Sequence, residues 1–466
     1  MDFSNKKIVI LGFGREGQSS YKYLRNILGD SLLTIADVNE NVKNNDLLSN
    51  DEHLNFILGE NYLDKVSDFD VIIKSPGISL KNHQSLKNSG KITSQSDIFL
   101  QKYSSQIIGI TGTKGKSTTS SLIYHIIKKH TDNVLLVGNI GLPPLDFVDK
   151  IDNKTHIVYE LSSHQLEFIQ KSPHIAILLN IFQEHLDHYN SYEDYQAAKW
   201  NITDKQTEND IFIMNADEDL LNMWWIKANI TRRLLTVSLF KNNKNCFVEN
   251  NKIFFSNEFI YDLNDKRNLP GNHNIYNIMT AICACKSIDI PNKIIVNAIN
   301  DFKPLPHRIE YVGNFKGIDF YNDSISTIPE AAIAAIKTVK NVETLILGGF
   351  DRGIDYSILI DYLYENPVKN VIFIGNAGKR MRNIWVEKII AENMFSMQKN
   401  DTTDDIKNSV NFFDANNYEV VVALAYKHTA AGKSCLLSPA AASYDMFKNF
   451  EERGNFFKQQ ISLQLT

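Results

Sequence analysis

The stretch IIGITGTKGKSTTSSLIYHIIKK, beginning at Ile107, constrains this chain more than any other. Its apolar run predicts a buried strand, Gly112 and Gly115 predict a turn, and SSLIYHII carries helical periodicity. A strand that breaks at glycines into Lys116–Ser117 and then a helix describes a phosphate-binding loop. The glycines let backbone N–H groups approach phosphate oxygens, the helix N-terminus adds positive potential, and Lys116 supplies a point charge. The Ser117 hydroxyl is placed to meet a magnesium ion, with Thr118 beside it. Isoleucine at 110 departs from the common eight-residue Walker pattern, so the loop is the shorter form T-G-T-K-G-K-S-T, with Thr113 and Lys114 inside it. An ordinary strand-to-helix turn with an incidental lysine is the bland alternative, and the context favours ATP.

The rest of the composition sets bounds. A chain of 466 residues has room for about three domains. Hydrophobic content of 43% and charged content of 22% are those of a globular protein. A net charge of −5 argues against nucleic acid as a partner, which would call for a basic stripe. Cys246, Cys283, Cys285 and Cys435 show no CxxC spacing and read as reduced core residues. The N-terminus runs straight into a strand without signal-peptide anatomy, and no apolar segment reaches membrane-spanning length. The expectation is a cytoplasmic monomer with small-molecule substrates and no membrane partner.

Before the phosphate loop, KIVILGFG and REGQSSYKYLRNIL read as strand and helix, with Gly12, Gly14 and Gly17 forming G-x-G-x-x-G. Asp37 ends the next strand, 37 − 17 = 20 residues on, where a dinucleotide site places its ribose-binding acid. The segment lasts only to about residue 100, short for a full dinucleotide fold. Ser75, Pro76 and Gly77 then form a turn able to expose backbone donors. An NAD(P)-dependent dehydrogenase and a half-sized domain for a UDP-type ligand both fit, and the glycines alone do not choose. The dehydrogenase would leave the phosphate loop idle.

After it, NVLLVGNIG, HIVYELSS, HIAILLNI and DIFIMNAD alternate with helical stretches, the signature of a parallel sheet covered on both faces. Ligands gather at the carboxyl ends of such strands. That rule singles out Asn139, Glu160, Ser162 and the run Asn180 to His185. Glu160 alone reads as a strand-end surface glutamate; near a phosphate loop it reads as a magnesium ligand, because a buried carboxylate needs a cation. Taken singly, His185 reads as a satisfied histidine and Lys199 as an exposed helical lysine. CFVENNKIFF predicts a hairpin with an Asn–Asn turn. Asn274 and Asn277 lie one turn apart at the start of an amphipathic helix, able to reach a nucleotide together or to act as caps. FKPLPHRIE reads as a linker, and a third α/β run follows it.

In family order the chain shows TGTKGKST, GNIGLP, YELSSHQLE, LNIFQEHLDHY, YQAAK, LPGNHNIYN, LPHRIE, YNDS, LGGFDRG and LLSPAAASYDMFKNFEERG. Together these resemble the Mur ligase family of ATP-dependent amide-forming enzymes, over essentially the whole length. GFGREG and the C-terminal SPAAASYDMFKNFEERG resemble the glutamate-adding branch. The resemblance implies a three-domain α/β fold: a Rossmann-like UDP-substrate domain at 1–100, a central phosphate-loop ATP domain at 101–308, and a Rossmann-like glutamate domain at 309–466. It implies addition of glutamate, most often D-glutamate, to UDP-N-acetylmuramoyl-L-alanine through an acyl phosphate.

Carried over residue by residue, the resemblance puts Gly14, Arg15, Asp37, Ser75, Pro76 and Gly77 at the uridine diphosphate, and Asn139, Ser162 and Gln165 near the sugar. ATP would be held by Gly112 through Thr118, with Asn274, Asn277, Arg308 and Asp323. Two magnesium ions would be held by Ser117 and Glu160 and by His185, with Lys199 carbamylated into a carboxylate-like ligand. Lys116, Glu160, His185 and Lys199 would carry the chemistry. Thr327, Arg352, Ser443 and Phe450 would surround the incoming glutamate. The family pattern S-K-A-T-N is here S-I-S-T-I-P: Ile325 replaces a lysine and Pro329 follows. A lost cation beside a dicarboxylate bears on which acid is taken, so L-glutamate is the rival acceptor.

Overall fold

The computed structural model describes residues 2–184, 188–228, 232–265, 267–399 and 410–464. They form two compact units, Met1–Phe302 and Lys303–Thr466.

The first unit begins with a parallel sheet of β1 (Ile8–Leu11), β2 (Leu33–Asp37), β3 (Leu54–Leu58), β4 (Val71–Lys74) and β5 (Ile92–Thr93), in the order β3-β2-β1-β4-β5. The order reverses between β1 and β4, the crevice where open α/β sheets take ligands. The glycine turn after β1 and the Ser75–Gly77 turn after β4 lie there side by side, since Leu11 pairs with Lys74.

The second sheet holds β6 (Ile107–Thr111), β7 (Val134–Gly138), β8 (His156–Glu160), β9 (Ile175–Leu178), β10 (Ile211–Asn215), β11 (Arg233–Ser238), β12 (Cys246–Glu249), β13 (Lys252–Phe255) and β14 (Glu258–Asp262). Their order is β14-β13-β12-β11-β10-β9-β6-β8-β7. Strands β6 to β12 run parallel wherever they pair, and β12 to β14 form antiparallel hairpins. Asn250 and Asn251 turn the first hairpin with φ of +50° and +58°, the left-handed pair such a turn requires. The central strands β6, β8, β9 and β10 are buried except at His156, which begins β8, as apolar runs covered on both faces must be.

One apolar cluster runs through both sheets. It includes Ile10, Ile35 and Ile73 of the first and Ile157, Tyr159 and Phe212 of the second, joined through Phe99 and Tyr103. The helix Gln95–Tyr103 that supplies this joint is capped by Ser94, whose hydroxyl accepts from the Asp97 N–H at 3.1 Å.

The second unit is a six-stranded sheet of β15 (Glu310–Phe315), β16 (Ile318–Asn322), β17 (Val342–Gly348), β18 (Asn370–Ile374), β19 (Asn411–Ala415) and β20 (Ser434–Leu437). The order is β15-β16-β20-β17-β18-β19, parallel except for the β15–β16 hairpin. Each unit is α/β with a largely parallel sheet, as the alternating strands and helices predict. None of the described helices is long and apolar enough to cross a membrane.

Candidate active site

The phosphate loop leaves β6 with Gly112 at φ +153° and Gly115 at φ +86°, and the helix Lys116–His130 starts immediately after. A Cβ on Gly115 would lie 2.6 Å from Asn277 Oδ1. That oxygen accepts from Thr119 Oγ1 at 3.1 Å, and Asn277 Nδ2 donates to Asn274 Oδ1 at 3.0 Å. The two asparagines of the helix Asn272–Lys286 therefore close against the loop, where the sequence offered only their spacing. Gly115→Ala is expected to cost about 1–2 kcal/mol for the left-handed backbone, and more for displacing Asn277. It should lower the melting temperature by several degrees and weaken an ATP analogue at least tenfold in a calorimetric titration.

The loop is braced from β9. Thr113 N–H donates to Asn180 O at 2.9 Å, Lys114 N–H donates to Asn180 Oδ1 at 2.8 Å, and Lys114 Nζ pairs with Glu184 at 2.6 Å. Lys116 Nζ donates to Gly112 O at 2.9 Å and Thr113 O at 3.0 Å. Lys199 Nζ donates to the same Gly112 O at 2.8 Å and is 2% exposed. It rises from the helix Tyr192–Asp204, which Ser191 caps, and lies over the Tyr195 ring at 4.9 Å. Two amines thus share one carbonyl. Burial, and then the Lys116 charge, pull the Lys199 amine well below its ordinary range. Lys199 taken singly read as exposed; the fold buries it beneath the loop.

Register places Glu160 at the same edge, paired with Ile110 on one side and Gly138 on the other. It is fully buried. Oε1 accepts from Asn139 Nδ2 at 2.8 Å, while Oε2 is buried with no hydrogen-bond partner. An orphaned carboxylate oxygen beside a phosphate loop fits a hard divalent cation. Ser117 is buried in the first turn of the loop helix. No three His, Cys, Asp or Glu side chains cluster as a metal set among the described residues. His185 lies outside the described residues.

At the first sheet, Gly12 takes φ +83°, and a Cβ on Gly17 would sit 2.0 Å from Gly12 O, so both glycines serve the turn itself. Gly14, which starts the helix Arg15–Leu28, and Gly77 would meet nothing within 4 Å, which leaves open space above both turns. Ser75 Oγ ties the two turns by donating to Gly12 O at 2.8 Å. Asp37 accepts from the Phe13 and Asn39 N–H groups at 2.7 and 2.8 Å, so the fingerprint acid also braces the glycine turn. Arg15 donates to Gly141 O at 3.3 Å. Ser162 and Gln165 form a capping box, and Gln165 Nε2 donates to Glu16 Oε1 at 2.7 Å. Glu16, which the sequence reading passed over, is thereby held between the two sheets, and burial raises its carboxyl.

In the second unit the carboxyl ends of β16, β20 and β17 collect the remaining residues. Asp323 accepts from Ile309 N–H at 3.1 Å and Ser438 Oγ at 2.8 Å. Arg352 donates to Thr327 O at 2.9 Å, and Ser324 Oγ donates to Phe450 O at 2.8 Å. Arg308 follows His307, whose N–H donates to Glu310 at 2.9 Å. Ser443 is buried, and Ile325 is half-buried with its N–H on His307 O at 3.2 Å. Arg453, part of the C-terminal motif but given no role by it, is 1% exposed and donates to Ser324 Oγ, Ser324 O and Ala442 O. It pins the two loops carrying Thr327 and Ser443.

Burial lifts the Asp323 carboxyl to about 6, against the pull of Ser326, Ser438 and Ile309 N–H. A raised acid stabilises the fold in its protonated form, fully below about 4, and that contribution is lost as pH rises through about 6. Between pH 4 and 8, denaturant unfolding should show Asp323→Asn gaining on the unmodified protein by about 3 kcal/mol at most.

Residues 110–285 match the Mur ligase middle domain, and residues 6–91 match the N-terminal domain of MurD-like Mur ligases. Solved structures of similar fold include the UDP-N-acetylmuramate-alanine ligase MurC of Thermotoga maritima, at TM-score 0.59 and 16% identity over 99% of this chain and 100% of that one. MurF ligase of the same organism, in complex with ADP, follows at 0.58 and 15%, over 98% and 95%. The chain belongs to the Mur ligase family. Within it, a protein of Ruminiclostridium cellulolyticum is 33% identical over 99% of this chain and 97% of its own, and one of Clostridium tetani is 32% identical over 98% and 96%. Both carry the name UDP-N-acetylmuramoylalanine--D-glutamate ligase.

Proposed function

We propose that this chain is the ATP-dependent ligase that joins D-glutamate to UDP-N-acetylmuramoyl-L-alanine, with release of ADP and phosphate, in peptidoglycan precursor synthesis. The observation that carries the reading is the buried edge where Lys116, Lys199 and Glu160 meet the phosphate loop, on a chain alike end to end to D-glutamate ligases.

A carboxylate resists amines because its charge repels them and oxide does not leave. The alanyl carboxylate oxygen attacks the γ-phosphorus of ATP, the bond to the bridging oxygen breaks, and ADP departs. The glutamate amine then attacks the acyl carbon, loses a proton, and phosphate leaves. In this reading Lys116 swings from the Gly112 and Thr113 carbonyls onto the triphosphate, where it neutralises charge as the phosphoryl group moves. Asn274 and Asn277 orient the nucleotide, with Arg308 and Asp323. The turns at Gly14 and Gly77, with Arg15, Asp37, Ser75 and Pro76, hold the uridine diphosphate. Asn139, Ser162 and Gln165 face the sugar.

Glu160 and Ser117 would hold one magnesium ion, and His185 the second. Bound there, the ions would screen the crowded phosphate oxygens. Lys199, buried and with its amine drawn well below its ordinary range, suits capture of carbon dioxide: the unprotonated amine nitrogen bonds to its carbon, a proton leaves, and a carbamate oxygen pair replaces the amine. Thr327, Arg352, Ser443 and Phe450 receive glutamate, with Arg352 as the cation for its carboxylate.

Ile325, standing where the family places a lysine, favours L-glutamate as the second reading. The test for both is ADP release from purified protein with magnesium, ATP, UDP-N-acetylmuramoyl-L-alanine and each glutamate enantiomer in parallel. Turnover with D-glutamate is expected; turnover with L-glutamate alone would move the assignment, and none with either would end it.

A further inference from the structure

Lys74 closes β4 one residue before the Ser75–Gly77 turn, yet its side chain is only 1% exposed. Its ammonium lies 3.5 Å from Glu167 Oε2 and 5.6 Å from the Phe168 ring. Glu167 follows the short helix Ser163–Leu166 after β8, and its side chain is 8% exposed. The same carboxylate meets Lys87 Nζ at 3.2 Å through Oε1 and His188 Nε2 at 3.4 Å through Oε2. One buried anion therefore answers three basic side chains from three segments: the end of a first-sheet strand, the helix Gln84–Lys87, and the loop beyond β9. A second strand of contact runs parallel to it, where Ser79 Oγ donates to His188 O at 3.4 Å.

Such a cluster is poorly explained by stability alone. Withdrawing charges from water costs several kcal/mol per ion, and apolar groups of similar volume often hold a fold as well or better. Phe168 beside it already packs on the apolar cluster of the first sheet. What an ionic cluster adds is geometry, because each partner must occupy one place. Burial raises the Glu167 carboxyl, but the His188 hydrogen bond and the Lys74 and Lys87 charges outweigh it and hold the group at about 2. Glu167 is thus ionised throughout the working range.

We propose that Lys74 and Glu167 are positioning residues for the nucleotide-sugar: they fix the Ser75–Gly77 turn of the first sheet against the second sheet, so that the bound substrate's carboxyl is delivered in register with the phosphate loop. The inference rests on the function proposed above. It predicts a defect confined to one substrate. Lys74→Met and Glu167→Gln in the full-length protein should each raise KM for UDP-N-acetylmuramoyl-L-alanine at least tenfold and lower kcat, with KM for ATP within twofold. Direct calorimetric titration of the same nucleotide-sugar without ATP should show the same loss. Lys74→Arg should recover most of it.

If a single variant leaves an uncompensated buried charge and fails to fold, the double variant Lys74→Met, Glu167→Gln carries the test, with the same tenfold rise expected. A lower melting temperature with an unchanged KM for the nucleotide-sugar would overturn the proposal, as would an equal rise in both KM values. Failure of the unmodified protein to form ADP would instead strike at the proposed function.

Discussion

Lys116→Ala is expected to remove ADP formation by about 10³-fold or more, the scale on which single charge-stabilising groups act in phosphoryl transfer. The ammonium rests on the Gly112 and Thr113 carbonyls, within the loop that would take the triphosphate. Losing it leaves the loop glycines and the Asn180 braces untouched, so the fold should persist. Single-turnover phosphate release, with circular dichroism as the control, separates the two effects. Turnover within tenfold of the unmodified protein would show that the phosphate loop is not where ATP reacts.

Lys199→Ala carries the second large effect. The side chain is buried, shares Gly112 O with Lys116 and lies over Tyr195, whose hydroxyl is 2.9 Å from Thr113 Oγ1. If the amine becomes a carbamate, its removal deletes a carboxylate-like ligand, and activity should fall about 10²-fold or more. A short carboxylate supplied in solution should restore part of it, and intact-protein mass in bicarbonate should show one carbon dioxide added. A plain structural lysine would give neither rescue nor added mass. Methylamine at the same concentration serves as the contrasting arm.

These two residues differ in how far the sequence disclosed them. Lys116 was legible because its neighbours impose its surroundings: an apolar strand, two glycines and a helix start leave little choice of geometry. Glu160 was legible only in part. Alone it read as a strand-end surface glutamate, and the nearby phosphate loop marked it as a buried carboxylate, while its pairing on both sides emerged from the fold. Lys199 was not legible, short of the family resemblance. On its helix it reads like any solvent-facing lysine, and only packing against the Gly112 loop, 87 residues away in the chain, removes it from water. Tyr195 opens the quoted motif YQAAK, one turn before Lys199 on the same face, but the motif alone did not show that its ring lies under the amine. Arg453 lies within the quoted motif ending FEERG, yet its role was not legible there: its partners Ser324 and Ala442 come together only through the pairing of β16 and β17 with β20. The parallel sheets were foreshadowed by alternation of strands and helices, whereas their strand orders and the compact unit that embraces the first two sheets were not. The aromatic residues that bind them, Phe99 and Tyr103, stand one turn apart on one short helix, but their partner Tyr159 lies 60 residues from Phe99 in the chain.

That common apolar cluster limits how the chain can be divided. A fragment ending near residue 100 would carry Phe99 and its neighbours into water without Tyr159 and Ile157 to meet them. The turns after β1 and β4 and the phosphate loop are therefore carried on one shared apolar cluster. Heat or urea that loosens the first sheet should take the second with it, and a single unfolding transition for residues 1–302 is the expected result.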